Sequence, residues 1–168
     1  IRSSVPINFI MTTDQEFSGE VILVTGAACG IGLAIARRFA EKGSHVLIAD
    51  INEEQGINAT KELRLLGFVA DFICIDLSRP GGASTMIDLA LQLTGRIDVL
   101  INNARAGQRV DLLEETEDNW NLALSVGLTS AFFASPSTIR YMSNHGGCRI
   151  VNVGSVAAIQ VTLESPSY

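Results

Sequence analysis

The sequence predicts an α/β domain built on a doubly wound parallel sheet that is incomplete on its C-terminal side. Three observations carry this reading. Short apolar runs alternate with longer stretches of helical period along the chain. Apolar residues make up 47% of the sequence, and the short runs lack polar alternation, as strands buried on both faces do. Polar or glycine residues follow the ends of those runs, at the rim where such sheets hold ligands.

The elements follow in order. Residues 21–24 form a first strand, followed by a turn containing Gly26, Gly30 and Gly32. Ile31, Leu33, Ile35, Ala36, Phe39 and Ala40 recur at helical spacing, and Gly43 ends that helix. Residues 46–49 form a second strand closed by Asp50, and Asn52 then caps a helix reaching residue 66, with Gly67 after it. Residues 69–75 form a third strand, closed by Asp76, and residues 84–93 a helix. Residues 97–101 form a fourth strand, closed by Asn102 and Asn103. Thr116 caps a long helix from Glu117 to beyond Ala134, and residues 149–153 form a fifth strand. Short connections between strands and helices mean parallel pairing with right-handed crossovers, in the order 3-2-1-4-5.

Bulk properties narrow the function. A chain of 168 residues is one domain with room for a real core. The formal net charge of −6 at pH 7 argues against a nucleic-acid partner, because an acidic surface repels phosphate backbones. Cys29, Cys74 and Cys148 are odd in number and scattered. They suggest buried reduced thiols in a cytoplasmic protein, with neither a metal site nor a disulfide framework. Residues 122–139 carry no charge, but their serines and threonines suit a helix buried against a sheet or a second subunit, not a membrane. Residues 1–16 read as a leader or flexible N-terminus, with Met11 a candidate start, and residues 17–168 as the domain.

The glycine turn lies between a clear strand and a clear helix. Gly26 allows a sharp exit from the strand. Gly30 leaves room for backbone N–H groups to meet a diphosphate at the helix N-terminus, and Gly32 lets helix and strand pack closely. Asp50 stands 24 residues after Gly26, where a carboxylate accepts hydrogen bonds from the adenosine ribose hydroxyls. It would repel a 2′-phosphate, and Cys29 and Ile51 beside it offer no compensating cation. The coenzyme expected is NAD, held at Gly26, Cys29, Gly30, Ile31, Gly32, Asp50 and Ile51. Arg37 and Arg38 read as solvated helix surface.

These motifs resemble the short-chain dehydrogenase/reductase family in its simple single-domain branch, from about residue 17 onward. Thr25-Gly26-x-x-x-Gly30-x-Gly32 resembles TGxxxGxG, and Asp76-Leu77 the pair that holds the adenine ring. Asn102-Asn103-Ala104 resembles the NNAG segment, and residues 150–155 the strand that delivers the active serine. The resemblance implies a Rossmann-like fold and hydride transfer between a nicotinamide and an alcohol or ketone. Asp76, Leu77, Asn103 and Ala104 would join the coenzyme site. Ser155 would hold the substrate oxygen, and Tyr168 would exchange its proton. The substrate is then a small alcohol or ketone, and the protein a homodimer or tetramer.

Departures from the pattern qualify this expectation. The family's activating lysine, four residues beyond the tyrosine, has no counterpart within the sequence, which ends at Tyr168. A phenol of pKa about 10 is ionised about one part in a thousand at neutral pH, so Tyr168 as it stands is unactivated. A longer protein with further strands and a lysine helix is expected. Gly127 stands where the family has a proton-relay asparagine, and Arg105 replaces the glycine of NNAG. Arg105 adds a cation for an anionic substrate or faces solvent. Pro136 interrupts the long helix, which either kinks or restarts there. His45, His145 and Trp120 carry no chemistry on this reading, and Trp120 anchors packing. Glu114, Glu115, Glu117 and Asp118 mark a helix start. The principal alternative is a catalytically impaired NAD-binding sensor or partner-binding relative; a third is an interaction protein without nucleotide.

Overall fold

The computed structural model describes residues 15–142, 147 and 149–158. Its elements are β1 (Val21–Thr25), α1 (Gly30–Glu41), β2 (His45–Asp50), α2 (Glu53–Leu65), β3 (Ala70–Cys74) and α3 (Gly82–Thr94). They continue through β4 (Val99–Asn102), α4 (Glu117–Leu124), α5 (Ser130–Met142) and β5 (Arg149–Asn152). The strands form one parallel sheet in the order β3-β2-β1-β4-β5. The doubly wound arrangement and its strand order are those expected.

Side-chain alternation divides the core into two layers. Leu23, Leu47 and Leu100 face α3 and α5, where they meet Met86, Ile87 and Ala134. Ile22, Val24, Ile48 and Val99 face α1 and α2, where they meet Ala36, Ala40 and Leu63. Both faces of the central strands are therefore covered, and all five residues of β1 are buried. Each fully buried Leu or Ile contributes about 1.5–3 kcal/mol relative to exposure. The N-terminal end of the sheet is tied by ions and amides. Asp98 Oδ2 accepts from Val21 N–H at 2.8 Å, Arg96 pairs with Asp98, and Arg149 pairs with Glu20. His45 Nε2 lies 2.7 Å from Asp71 Oδ2, which joins the start of β2 to β3.

Local capping follows the sequence closely. Asn52 accepts from Gln55 N–H at 3.0 Å and Thr116 from Asn119 N–H at 3.2 Å. Strand ends differ by a residue or two from those expected. Val69, placed in the third strand, precedes β3 and is 59% exposed.

Four expectations are corrected or narrowed. Pro136 lies inside α5 and does not end it. Ala134 and Thr138 on either side of it are buried, so tertiary packing holds the helix together. Pro136 itself faces outward, where water can serve the carbonyl left without a donor. The break in the ladder comes earlier, in a π-helical segment at Ser125–Thr129. Second, of the uncharged stretch expected to be buried against a sheet or a second subunit, the chain itself covers one side. Only a seam of small residues, Ala123, Ser130, Ala134 and Thr138, is buried, while Leu128, Phe132 and Phe133 are 64%, 64% and 55% exposed. Residues Glu117–Tyr141 are long and apolar enough to cross a membrane by length and composition, yet here α5 packs on α3 within the α/β domain, with Ala134 in the core. Third, Cys29 and Cys74 are free but exposed, not buried; Cys148 lies outside the described residues, as does His145. Fourth, Trp120 is 43% exposed and anchors no core. Among the described residues the sheet continues beyond β4 into β5, whose Val151 and the following Val153 are exposed.

Candidate functional site

The carboxyl ends of β1, β2 and β4 meet at Gly26. Thr25 ends β1 with a side chain only 2% exposed, and its hydroxyl is a hub. Thr25 Oγ1 accepts from Asn103 N–H and Ala104 N–H, both at 2.9 Å, and donates to the Ile101 carbonyl at 3.4 Å. Asn103 Nδ2 returns to the Thr25 carbonyl at 2.9 Å and the Gly26 carbonyl at 3.2 Å. The loop after β4 is thus sewn onto the glycine turn. Gly26 has φ +63, and a Cβ there would lie 2.8 Å from Ala104 Cα. Conformation and contact both exclude a side chain.

Two further glycines separate a packing role from an opening role. A Cβ on Gly32 would collide with the Gly26 carbonyl and lie 2.6 Å from Asn103 Nδ2. Gly32 therefore sets how closely α1 approaches the turn. Gly30 has φ +58, and nothing lies within 4 Å of where its Cβ would be. Cys29, Gly30 and Ile31 are exposed, and Cys29 caps α1 with no side-chain hydrogen bond. The first turn of α1 also carries no acid. Unpartnered N–H groups at an open helix start form an anion cradle. These residues fit the diphosphate of a dinucleotide.

Asp50 ends β2 beside that cradle. Its Oδ2 accepts from Ala28 N–H and its Oδ1 from Asn52 N–H, each at 3.0 Å. One carboxylate therefore joins β2 to the glycine turn and keeps lone pairs for a ligand. Ile51 beside it is 65% exposed. Asp76 is less open. Ser78 gives Asp76 Oδ1 a hydroxyl at 2.6 Å and an N–H at 2.9 Å, and Arg79 reaches Oδ2 at 3.1 Å. The Ser78 hydroxyl first, then its N–H and Arg79, hold the Asp76 carboxyl below its usual range. Leu77 turns its side chain into the core, so only its backbone is left to meet an adenine.

The other side of β4 leads to the serine. Asn102 and Asn152 are paired in register, and Asn102 Nδ2 donates to Asn152 Oδ1 at 2.8 Å. Three residues later Ser155 is half-buried, with Oγ accepting from Ala157 N–H at 3.1 Å. Tyr168 lies outside the described residues. Gly127 is exposed within the π segment, with no atom within 4 Å of a built Cβ. The structure thus brings together Gly26, Gly30, Gly32, Asp50, Asn103 and Ala104, and connects Ser155 to them through the asparagine pair. Thr25 and Asn152 stood in the sequence only as members of motifs, with no role of their own. A hydroxyl ending an otherwise apolar strand was the available signal for Thr25.

The family model for short chain dehydrogenase matches residues 20–168. The chain belongs to that family. It is 36% identical over 145 residues to a 3-oxoacyl-[acyl-carrier-protein] reductase of Chlamydia pneumoniae, covering 86% of this chain and 58% of that protein. It is 39% identical over 143 residues to a hexahydroindene-carboxyl-CoA reductase of Mycobacterium tuberculosis, covering 82% and 54%. Among solved structures, NAD+-bound xylitol dehydrogenase aligns with a TM-score of 0.84 and 31% identity, covering 91% of this chain and 59% of that one. The chain therefore spans somewhat more than half the length of these short-chain dehydrogenase relatives.

Proposed function

We propose that this chain carries the coenzyme site of an NAD-dependent oxidoreductase that interconverts an alcohol and a ketone. Asp50 is the observation on which the reading rests. Its carboxylate is aimed by two backbone N–H groups at the edge of an open anion cradle, and Cys29 and Ile51 beside it are neutral. Such a carboxylate grips ribose hydroxyls and repels a 2′-phosphate. The xylitol dehydrogenase neighbour, which binds NAD+, supports the same choice.

When bound, the nicotinamide accepts or gives the hydride. The chain's own residues do the rest. The first turn of α1 binds the diphosphate, Asp50 orients the adenosine ribose, and the backbone beside Leu77 with Asp76 borders the adenine. Ser155 Oγ donates to the substrate oxygen as negative charge grows on it. Tyr168 Oη gives the proton to that oxygen in reduction and takes it in oxidation. A cation contributed by residues that follow Tyr168 would keep the phenol reactive. The exposed Leu128, Phe132 and Phe133 of α4–α5 suit contact with a second copy in a homodimer or tetramer, and the protein belongs in the cytoplasm on this reading. Fractionation of cells and light scattering test these two points.

Titration of the protein, as its gene encodes it, with both coenzymes tests the assignment. NAD+ binding the tighter is the expected result; tighter NADP+ binding would overturn it. Gly127 favours a second reading. Its position in the π segment offers a backbone but no side chain, which suits a relative that binds NAD without turnover. Absorbance of NADH over a panel of alcohols and ketones separates the two: tight NAD+ binding with no turnover selects the second.

A further inference from the structure

The loop after β4 is held at two points. Thr25 Oγ1 fixes the N–H groups of Asn103 and Ala104, both at 2.9 Å. Farther along, Gln108 N–H donates to Asn119 Oδ1 at 2.6 Å, and its carbonyl accepts from Asn119 Nδ2 at 3.1 Å. Arg105 leaves this short anchored span directly after Ala104, and it is exposed. Ala104 Cα is the atom nearest to where a Gly26 side chain would begin, at 2.8 Å. The base of Arg105 is therefore set beside the glycine turn, on the β1 side of the loop. Ser155, where a substrate oxygen would sit, lies on the opposite side, beyond β5's pairing with β4.

Positive charge at this rim is scarce among the described residues. The loops after β1 and β2, residues 26–29 and 51–52, bring no cation. The loop after β3 brings Arg79, but β3 lies two strands from β1 in the sheet, whereas β4 is next to β1. The loop after β4 brings Arg105 and Arg109, and the described residues after β5 bring none. A diphosphate in the cradle carries two negative charges, and the chain around it has a net charge of −6. We propose that Arg105 is a coenzyme-binding residue whose guanidinium contacts the dinucleotide's diphosphate. The inference rests on the coenzyme reading above. A planar, permanently charged fork is suited to two phosphate oxygens in a way that an ammonium is not.

Calorimetric titration with ADP-ribose, which carries the diphosphate but no nicotinamide, tests this against adenosine, which carries no phosphate. Arg105→Gln weakens ADP-ribose by about tenfold and adenosine by less than about twofold. Arg105→Lys restores part of the loss. Arg109→Gln, the same charge removed from the far side of the Asn119 anchor, changes ADP-ribose affinity by less than about twofold. Unaltered ADP-ribose affinity in Arg105→Gln overturns the proposal, including the case in which only KM for the carbonyl substrate rises. Equal losses in the Arg105 and Arg109 variants also overturn it, since they report the field of the loop and not a contact. A parent protein that binds no ADP-ribose removes the coenzyme reading and this inference together; binding that ignores Arg105 removes only the inference.

Discussion

Asp50→Asn changes charge while leaving shape almost intact. The parent carboxylate serves two backbone donors, Ala28 N–H and Asn52 N–H, each at 3.0 Å. Asparagine keeps one oxygen, so one donor loses its acceptor. A hydrogen bond to a charged group contributes about 1.5–3 kcal/mol; Asp50 is half-exposed, which puts the stability loss near the lower figure. The effect on coenzyme choice is larger. A carboxylate and a phosphate charge about 4 Å apart repel by about 4 kcal/mol at a near-surface dielectric. Salt and solvent at a half-exposed site leave about 2 kcal/mol, or roughly thirtyfold in NADP+ affinity. Weaker bonds from the ribose hydroxyls to a neutral amide cost about 1 kcal/mol, or about fivefold for NAD+. The ratio of the two dissociation constants should therefore move toward NADP+ by on the order of a hundredfold. Calorimetry with both coenzymes on parent and variant measures it directly. A ratio that moves by less than about fivefold, in a variant whose unfolding stays cooperative, would show that Asp50 does not face the 2′ position.

Other perturbations probe the same rim. Thr25→Val removes the hydroxyl that serves Asn103 and Ala104; a stability loss of about 2–3 kcal/mol in urea is expected, and Thr25→Ser should lose less. A loss below about 0.5 kcal/mol for the valine would mean that the loop finds other acceptors. Gly32→Ala places a methyl against the Gly26 carbonyl and 2.6 Å from Asn103 Nδ2; about 2 kcal/mol of stability should be lost together with NAD+ binding. Normal NAD+ affinity in that variant would contradict the packing role. Gly127→Asn meets no atom within 4 Å, so stability should rise by a few tenths of a kcal/mol from reduced chain entropy. Its kcat should rise severalfold if the missing side chain limits proton relay, and an unchanged kcat would clear Gly127 of that charge. Asp76 has a folded-state pKa below its ordinary 3.8, so it stabilises the fold above that value and ceases to as pH falls through the lower one. Parent and Asp76→Asn should accordingly differ in urea stability near neutral pH and converge at strongly acid pH. A gap independent of pH would mean that Asp76 acts by shape alone.

Much of the fold was legible from order and period. The runs at residues 21–24, 46–49 and 99–101 are apolar throughout because both of their faces are covered, and that pattern survives without knowing what covers them. The rim was legible too, because Gly26, Gly30, Gly32 and Asp50 each follow a strand end, and sheet topology then carries every such end to one side. Caps at Asn52 and Thr116 are local events, settled within three residues. Other features depend on partners far apart in the chain. Whether Pro136 breaks a helix depends on α3 holding Ala134, and the sequence near the proline is silent about α3. The π segment at Ser125–Thr129 has no period of its own to announce it. The bond between Thr25 and Asn103 spans 78 positions, so no window along the chain contains both.

Composition and spacing alone determined that this chain is a parallel α/β domain with a glycine turn and an acid at the right interval, because helical and strand periods and chain reversals are short-range properties. Only tertiary packing decided how those pieces lock. It made Thr25 the pin between two loops, turned the Asp50 carboxylate onto the glycine turn and set Arg105 beside it. It also left the broad apolar side of α5 uncovered. Each of those outcomes is a distance between residues remote in sequence, and such distances exist only once the sheet has brought its strand ends together.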